Sequence, residues 1–488
     1  MFSIKKLYSL PLVGRVREGG IILLVLLTGC AVGPKYVRPT ASIPKAYKES
    51  ADWSSYRTLA GAWKIALPQD QIVRGAWWKI FKDPQLDALE DQVNISNQNI
   101  AQAEAQYAQS YALVQAARSA FFPTLGTTAS VTRSHGASNT KEGKSAVTQN
   151  LLSADVNWEI DLWGKIRRTM ESNSANAQAS QADLENARLS AQAQLAQDYF
   201  ELASLDTQKK LLDDTDAIYQ KFYDLTKNRY ASGVAAQADV IQAKTQLEST
   251  EAESIDIGVQ RAQLEHAIAL LIGRPASDFS MPALTLPAMV PSIPAGFPSD
   301  LLERRPDIAA AERTVASANA LIGVAESAYY PTLVLSASGS YQSSDLSRIF
   351  SSPNPLWSVG PALAETIFDA GLRRAQTAQA KAVYDADVAA YRQTVLAAFG
   401  QVEDNLAALR ILDQEEQVQD AAVMDAKKAV MLETNQYQAG IVSALDVITT
   451  QATALNVEKS AVIVLGQRLN ACVLLIQYLG GGWTAPKQ

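Results

Sequence analysis

A short cassette occurs twice in this chain, as "RYASGVAAQADVI" from Arg229 to Ile241 and as "QYQAGIVSALDVI" from Gln436 to Ile448, about 207 positions apart. In each copy a Tyr is followed three residues on by Gly, six beyond that by Asp, and then by Val-Ile. Duplication on this scale is a firmer guide to organisation than the length of 488 residues. The echo extends further: "FFPTL" (Phe121 to Leu125) matches "YYPTL" (Tyr329 to Leu333), and "DLWGKIRR" (Asp161 to Arg168) matches "DAGLRR" (Asp369 to Arg374). Each half reads as a helix, an aromatic-aromatic-Pro step, strands, an Asp-and-Gly turn, an Arg pair, a long helix, the cassette and a further helix.

These echoes predict a first repeat over 84–272 and a second over 299–479, with a tail at 480–488. Between them, 273–298 is a Pro-rich linker in which proline forbids a continuing helix. Within the repeats, Leu301, Ile308, Val315, Ile322 and Tyr329 fall seven apart, and Ala311, Ala318 and Ala325 sit three positions later. Leu86, Leu89, Val93, Ile100, Tyr107, Tyr111, Val114 and Phe121 trace the same seam in the first half. An antiparallel coiled coil gives this pattern too. Length is more telling, because a helix from Trp163 to Arg229 reaches about 100 Å at about 1.5 Å per residue. The flanking helices, from about Pro84 and to about Ile272, are roughly half as long on the same rise. A tall helical wall, built twice, follows.

Segments of opposite periodicity lie between the helices. Leu152, Ala154, Val156, Trp158, Ile160 and Leu162 alternate with Ser153, Asp155, Asn157, Glu159 and Asp161, and "TLVLSASGSYQ" alternates likewise. A half-buried soluble sheet shares this pattern with a transmembrane barrel strand of about 10 residues. Two strand pairs are expected, 124–133 with 150–161 and 332–342 with 355–366. Four strands are too few to close a pore, since even small barrels need about eight. Unpaired edges are costly in lipid, so a membrane barrel must be shared between chains. Three chains supply 12 strands; a dimer with eight survives the same elimination.

The N-terminus points to export. Lys5, Lys6, Arg15 and Arg17 precede "IILLVLLTGC", an apolar run too short for a comfortable membrane span. Leu27-Thr28-Gly29-Cys30 resembles the lipobox of bacterial lipoproteins, which implies a signal peptide over 1–29, a covalent lipid (palmitate among its chains) on Cys30, and an N-terminal anchor segment over 30–83. An ordinary signal peptide with an incidental Cys is the plainer alternative. Ala31, rather than Asp, implies sorting to the outer membrane by the same resemblance. Cleavage removes four basic groups and Glu18, taking the formal charge from −7 to about −10. No basic tract suggests nucleic acid. Two Cys (Cys30, Cys472) and two His (His135, His266) leave no disulfide framework and nearly exclude a His/Cys metal site. Neither a Gly-rich phosphate loop nor a Ser/His/Asp arrangement is present, so the chain reads as no enzyme, without a cofactor beyond the lipid.

"CAVGPKYVRP", "LLERRPDIAAAER", the paired aromatic-Pro strand starts and the twin Tyr-x-x-Gly cassettes together resemble the outer membrane factor family, the TolC-like and OprM-like channels of bacterial efflux. The resemblance covers essentially all of the chain after Cys30. It implies an α+β membrane protein: a homotrimeric 12-stranded transmembrane β-barrel, four strands per chain, continued by a long periplasmic α-helical barrel. It also implies partners, namely a periplasmic adaptor (membrane fusion protein), an inner-membrane pump of the RND class, and outer membrane lipid. On this reading Tyr230, Gly233, Val234, Tyr437, Gly440 and Ile441 form the adaptor-contacting tip. Leu445, Asp446 and Asp239 form the gate, with Asp446 repeated around the axis as an acidic ring. Thr449 stands where some relatives carry a further acid, and Val442 where others carry a basic brace. The implied function is a passive, gated exit duct of a tripartite efflux pump. A type I secretion channel and a structural periplasmic coiled-coil lipoprotein are the alternatives.

Overall fold

A computed structural model describes residues 31–44, 46–49, 75–135, 146–291, 293, 300–351 and 355–481. Cys30 and the leader before it lie outside the described residues. The elements, in chain order, are α1 (Pro84–Ser96), α2 (Gln98–Ser119), β1 (Thr124–Ser134), β2 (Val147–Ile160), α3 (Lys165–Ala231) and α4 (Gln237–Leu271). They are followed by α5 (Leu301–Arg304), α6 (Pro306–Ser327), β3 (Thr332–Ser343), β4 (Pro355–Ala364), α7 (Leu372–Gln438) and α8 (Ala444–Tyr478). α3 and α7 each have 67 residues, and α4 and α8 each have 35. From Lys165 to Leu372 and from Gln237 to Ala444 the offset is the same 207 positions.

Two of the expected helices are broken by local chemistry. The helix from Pro84 stops at Ser96, because the Asn97 side chain accepts from the N–H groups of Asn99 and Ile100 and starts α2 afresh. Its amide nitrogen donates to the carbonyl of Leu271 at the end of α4, 2.8 Å away, so the break is tied to its neighbour. The seam that begins at Leu301 breaks at Arg305, which is extended (φ −78°, ψ 120°) because Pro306 follows it.

The chain divides into two compact units, Met1–Val37, Tyr111–Ala175 and Ala316–Ala386 in one, and Arg38–Ser110, Asn176–Val315 and Asp387–Gln488 in the other. The first holds one antiparallel sheet in the order β1-β2-β3-β4. The two expected pairs form, and β2 also pairs with β3, through Trp158↔Leu335 and Ile160↔Leu333. Register decides what each face carries. Leu125, Val156, Ala337 and Val359 run across one face, as do Ala129, Leu152 and Tyr341. The other carries Gly126, Asp155, Ser338 and Ser358, with Thr128, Ser153 and Ser340 beside them. The apolar face is not packed against the described protein: Leu125 is 73% exposed, Val359 72% and Leu363 69%. A soluble sheet buries such a face, and here none of the described residues does so.

After Ala31, the segment "VGPKY" is strapped to the same unit. Val32 donates to the carbonyl of Trp163, and Arg168 donates to the carbonyls of Val32 and Gly33. Asn319 donates to the carbonyl of Pro34. A Cβ at Gly33 would lie 2.4 Å from the Cα of Gly323, so the two backbones touch only because neither residue has a side chain.

In the second unit Leu86, Val93, Ile100, Leu195, Phe200 and Ile268 pack with Leu469, Val473 and Ile476 from α8. The Pro-rich linker contributes Met281, Leu284 and Leu286 to this core, and the N–H of Leu284 donates to Asp206. As far as Leu286 the linker is therefore packed against the helices. α8 is long and apolar enough to cross a membrane by composition, yet much of its apolar surface is spent on this core.

Candidate functional site

The two cassettes form the turns α3–α4 and α7–α8, and their backbones are nearly superimposable in kind. Gly233 (φ 74°) donates to the carbonyl of Tyr230, and Val234 to that of Arg229, each at 2.9 Å. Gly440 (φ 76°) donates to Tyr437 at 3.0 Å, and Ile441 to Gln436 at 2.9 Å. This pair of bonds closes a helix C-terminus with a left-handed residue, the conformation glycine adopts without strain. The chain then leaves with an apolar residue pointing outward: Val234 is 67% exposed and Ile441 73%.

The next helices start with Asp at their third residue, and both aspartates are caps. Asp239 accepts from the N–H of Ala236 at 3.1 Å, and its own N–H returns to the Ala236 carbonyl at 3.2 Å, because Ala236 has no hydroxyl to cap it. Asp446 accepts from the N–H of Ser443 at 2.9 Å and from its hydroxyl at 2.7 Å, while the Ser443 oxygen accepts from the N–H of Asp446. The Ser443 hydroxyl and N–H together hold the Asp446 carboxyl below its ordinary range, so it is ionised at neutral pH. Both aspartates thus sit at a helix N-terminus with favourable dipole and capping interactions. Leu445 is half-exposed beside Asp446, and Thr449 turns its hydroxyl back to the carbonyls of Leu445 and Asp446.

The two tyrosines part company. Tyr230 is exposed at its turn, whereas Tyr437 is buried, so Tyr437 offers no surface and fastens the tip instead. It packs in a small cluster with Phe222, Ala243, Ala444, Val447 and Ile448, joining both hairpins of one chain. Its ring centre lies 5.3 Å from that of Phe222, and the Arg229 guanidinium sits 4.6 Å above it. Sequence reading missed Phe222, Arg229 and Ser443 as parts of the site. Ser443 carried a legible signal, the S-x-x-D spacing of a capping box.

Further from the tip, ion pairs tie neighbouring helices together. Arg261 of α4 meets Asp206 of α3 at 2.7 Å, Lys427 of α7 meets Glu458 of α8 at 3.0 Å, and Lys459 of α8 meets Glu253 of α4. No group of His, Cys, Asp or Glu among the described residues is arranged to hold a metal.

Comparison with known proteins agrees with this arrangement. The profile of the family "Outer membrane efflux protein" matches twice, over residues 89–274 and 297–481. The probable efflux pump outer membrane protein TtgC of Pseudomonas putida is 28% identical over 464 residues, covering 94% of each chain. The pyoverdine export outer membrane protein OpmQ of Pseudomonas aeruginosa is 29% identical, over 84% of this chain and 88% of its own. Among solved structures, the outer-membrane channel OprN superposes with a TM-score of 0.83 at 28% identity, over 93% of this chain and all of that one. With the family profile spanning both halves and the sheet and paired helices in place, this chain belongs to the outer membrane efflux protein family.

Proposed function

We propose that three copies of this chain close a 12-stranded barrel in the outer membrane and form a periplasmic helical duct gated by the α7–α8 turns. The observation that carries this is the sheet's register, which sorts one lipid-compatible face from one hydroxyl- and carboxylate-bearing face. Chains of four strands need partners to close, and the helical hairpins then ring one mouth, two per chain. Val234 and Ile441 are the apolar knobs that meet a periplasmic adaptor, and an inner-membrane pump of the RND class supplies the energy. The relatives named for pyoverdine and for toluene export are equally distant from this chain, which fits a duct that passes cargo without a dedicated binding site.

Asp446 and Leu445 of the three chains line the narrowest opening, with Asp239 framing it. On this reading the Ser443–Asp446 cap fixes where the charge sits. Asp446→Ala should raise conductance or lower cation preference in planar bilayers; unchanged conductance and selectivity would count against the ring. The lipid on Cys30 fits the position of its neighbour Ala31, which lies against Gly164 where β2 leads into α3. Cys30→Ser should abolish incorporation of labelled fatty acid, and retained label would mean that Cys30 is not the lipid anchor.

A further inference from the structure

A cavity of about 490 Å³ lies where β1 and β2 meet the ends of α2 and α3. Register decides which side it opens on. Steps of two along the strands from Gly126, Asp155 and Ser338 reach Thr124, Asn157, Glu159 and Val334, so all four belong to the polar face. All four line the cavity. On the duct reading above, on which this inference rests, that face is the wall of the passage. Ala117 and Ala120 near the end of α2 leave the space open, while Phe122, Ile166 and Val334 give it apolar walls. Its size is that of a pocket for a small organic molecule.

A charged pair sits in this wall. The ammonium of Lys165 donates to the Glu159 carboxylate at 3.0 Å, and both side chains are partly exposed. Such a pair adds little to stability. The duplicated half does without it. At the offset of 208 that takes Asp161 to Asp369, Glu159 becomes Ile367, and at the 207 that joins the two long helix starts, Lys165 becomes Leu372. Strand leads into helix there with neither charge. The two partners are also unequally held. Glu159 is fixed in the ladder opposite Val334. Lys165 is the first residue of α3, where the helix dipole disfavours a cation, and its stem is long and flexible. Glu159 is thus a carboxylate whose present partner is easily displaced.

We propose that this cavity is a resting place for lipophilic organic cations on the wall of the duct. The ligand's cationic group takes the place of the Lys165 ammonium on Glu159, and its apolar body lies against Phe122, Ile166 and Val334. Phe122 is 62% exposed, so its ring is open to a flat, positively charged partner. Walls of this kind select a class of molecule rather than one compound.

The experiment is ethidium binding, read by fluorescence, to the full-length protein in nanodiscs of zwitterionic lipid. Wild type should bind this flat lipophilic cation saturably. Glu159→Gln should weaken binding about tenfold, since it removes a charge-assisted contact. Lys165→Ala should tighten it about threefold, because the competing cation is gone. A pair with only a structural role moves both variants in the same direction. No saturable binding, unchanged affinity in Glu159→Gln, or weaker binding in Lys165→Ala would each overturn the site. Planar-bilayer recording of the same preparations separates this from the duct reading. Channels without ethidium binding overturn the site alone; ethidium binding of the expected pattern without channels overturns the duct and leaves the site.

Discussion

The two turns at the helix ends share a backbone but not a purpose. At α3–α4 the Tyr stands free in solvent and the N-cap is Ala236; at α7–α8 the Tyr is buried under Arg229 and the N-cap is Ser443. Tyr230 presents surface, while Tyr437 fastens its turn to the neighbouring hairpin. A duplicated unit has thus divided its work, through a single ring that turns inward and one hydroxyl.

The widest gap is expected from the tyrosines. Tyr437→Ala empties a packed position and should cost the tip about 3–5 kcal/mol, as large aromatic truncations do. Amide exchange around residues 222–243 and 437–448 should speed up by two orders of magnitude or more. Tyr230→Ala touches exposed surface and should stay within about 0.5 kcal/mol. Equal effects at the two sites would dissolve the comparison.

A smaller difference follows from the caps. Ser443→Ala should cost about 1 kcal/mol, read as faster exchange in the first turn of α8. Ala236 has almost the same backbone geometry (φ −83°, ψ 153°) as Ser443 (φ −81°, ψ 164°). Ala236→Ser should therefore stabilise the first turn of α4 by about 0.5–1 kcal/mol and make the two turns alike. No gain there would mean that the hydroxyl is not what separates them.

The smallest effect depends on pH. The Asp446 carboxyl titrates lower when folded than the ordinary value of 3.8, owing to Ser443. A depressed carboxylate pKa contributes stability that is present above the unfolded value and is lost as pH falls through the folded one. The first turn of α8 should hold its amide protection at pH 5–7 and lose it below about 3.8, and Asp446→Asn should flatten that dependence.

Much of this was legible in the residues. Strict alternation fixed the strands to within a few positions, and the positive-φ turns fall on the cassette glycines. The pairing of β2 with β3 was not legible, because the long α3-to-α6 stretch separates them in sequence while register joins them in space. The stop at Ser96 was legible only in retrospect, from an Asn placed three residues before Ile100. The fate of Tyr437 left no local trace: its cassette matches the first, and what buries it is Phe222, on a different helix of the other half.

Single-channel recording on purified protein in planar bilayers separates the proposed duct, held shut at the α7–α8 turns, from a closed scaffold. Wild type should be closed or rarely open, and Tyr437→Ala, which unfastens the tip while leaving the sheet untouched, should open steady, ohmic channels. Bilayers that stay silent with both proteins, although each is a trimer by native mass, would mean that the chain forms no such duct.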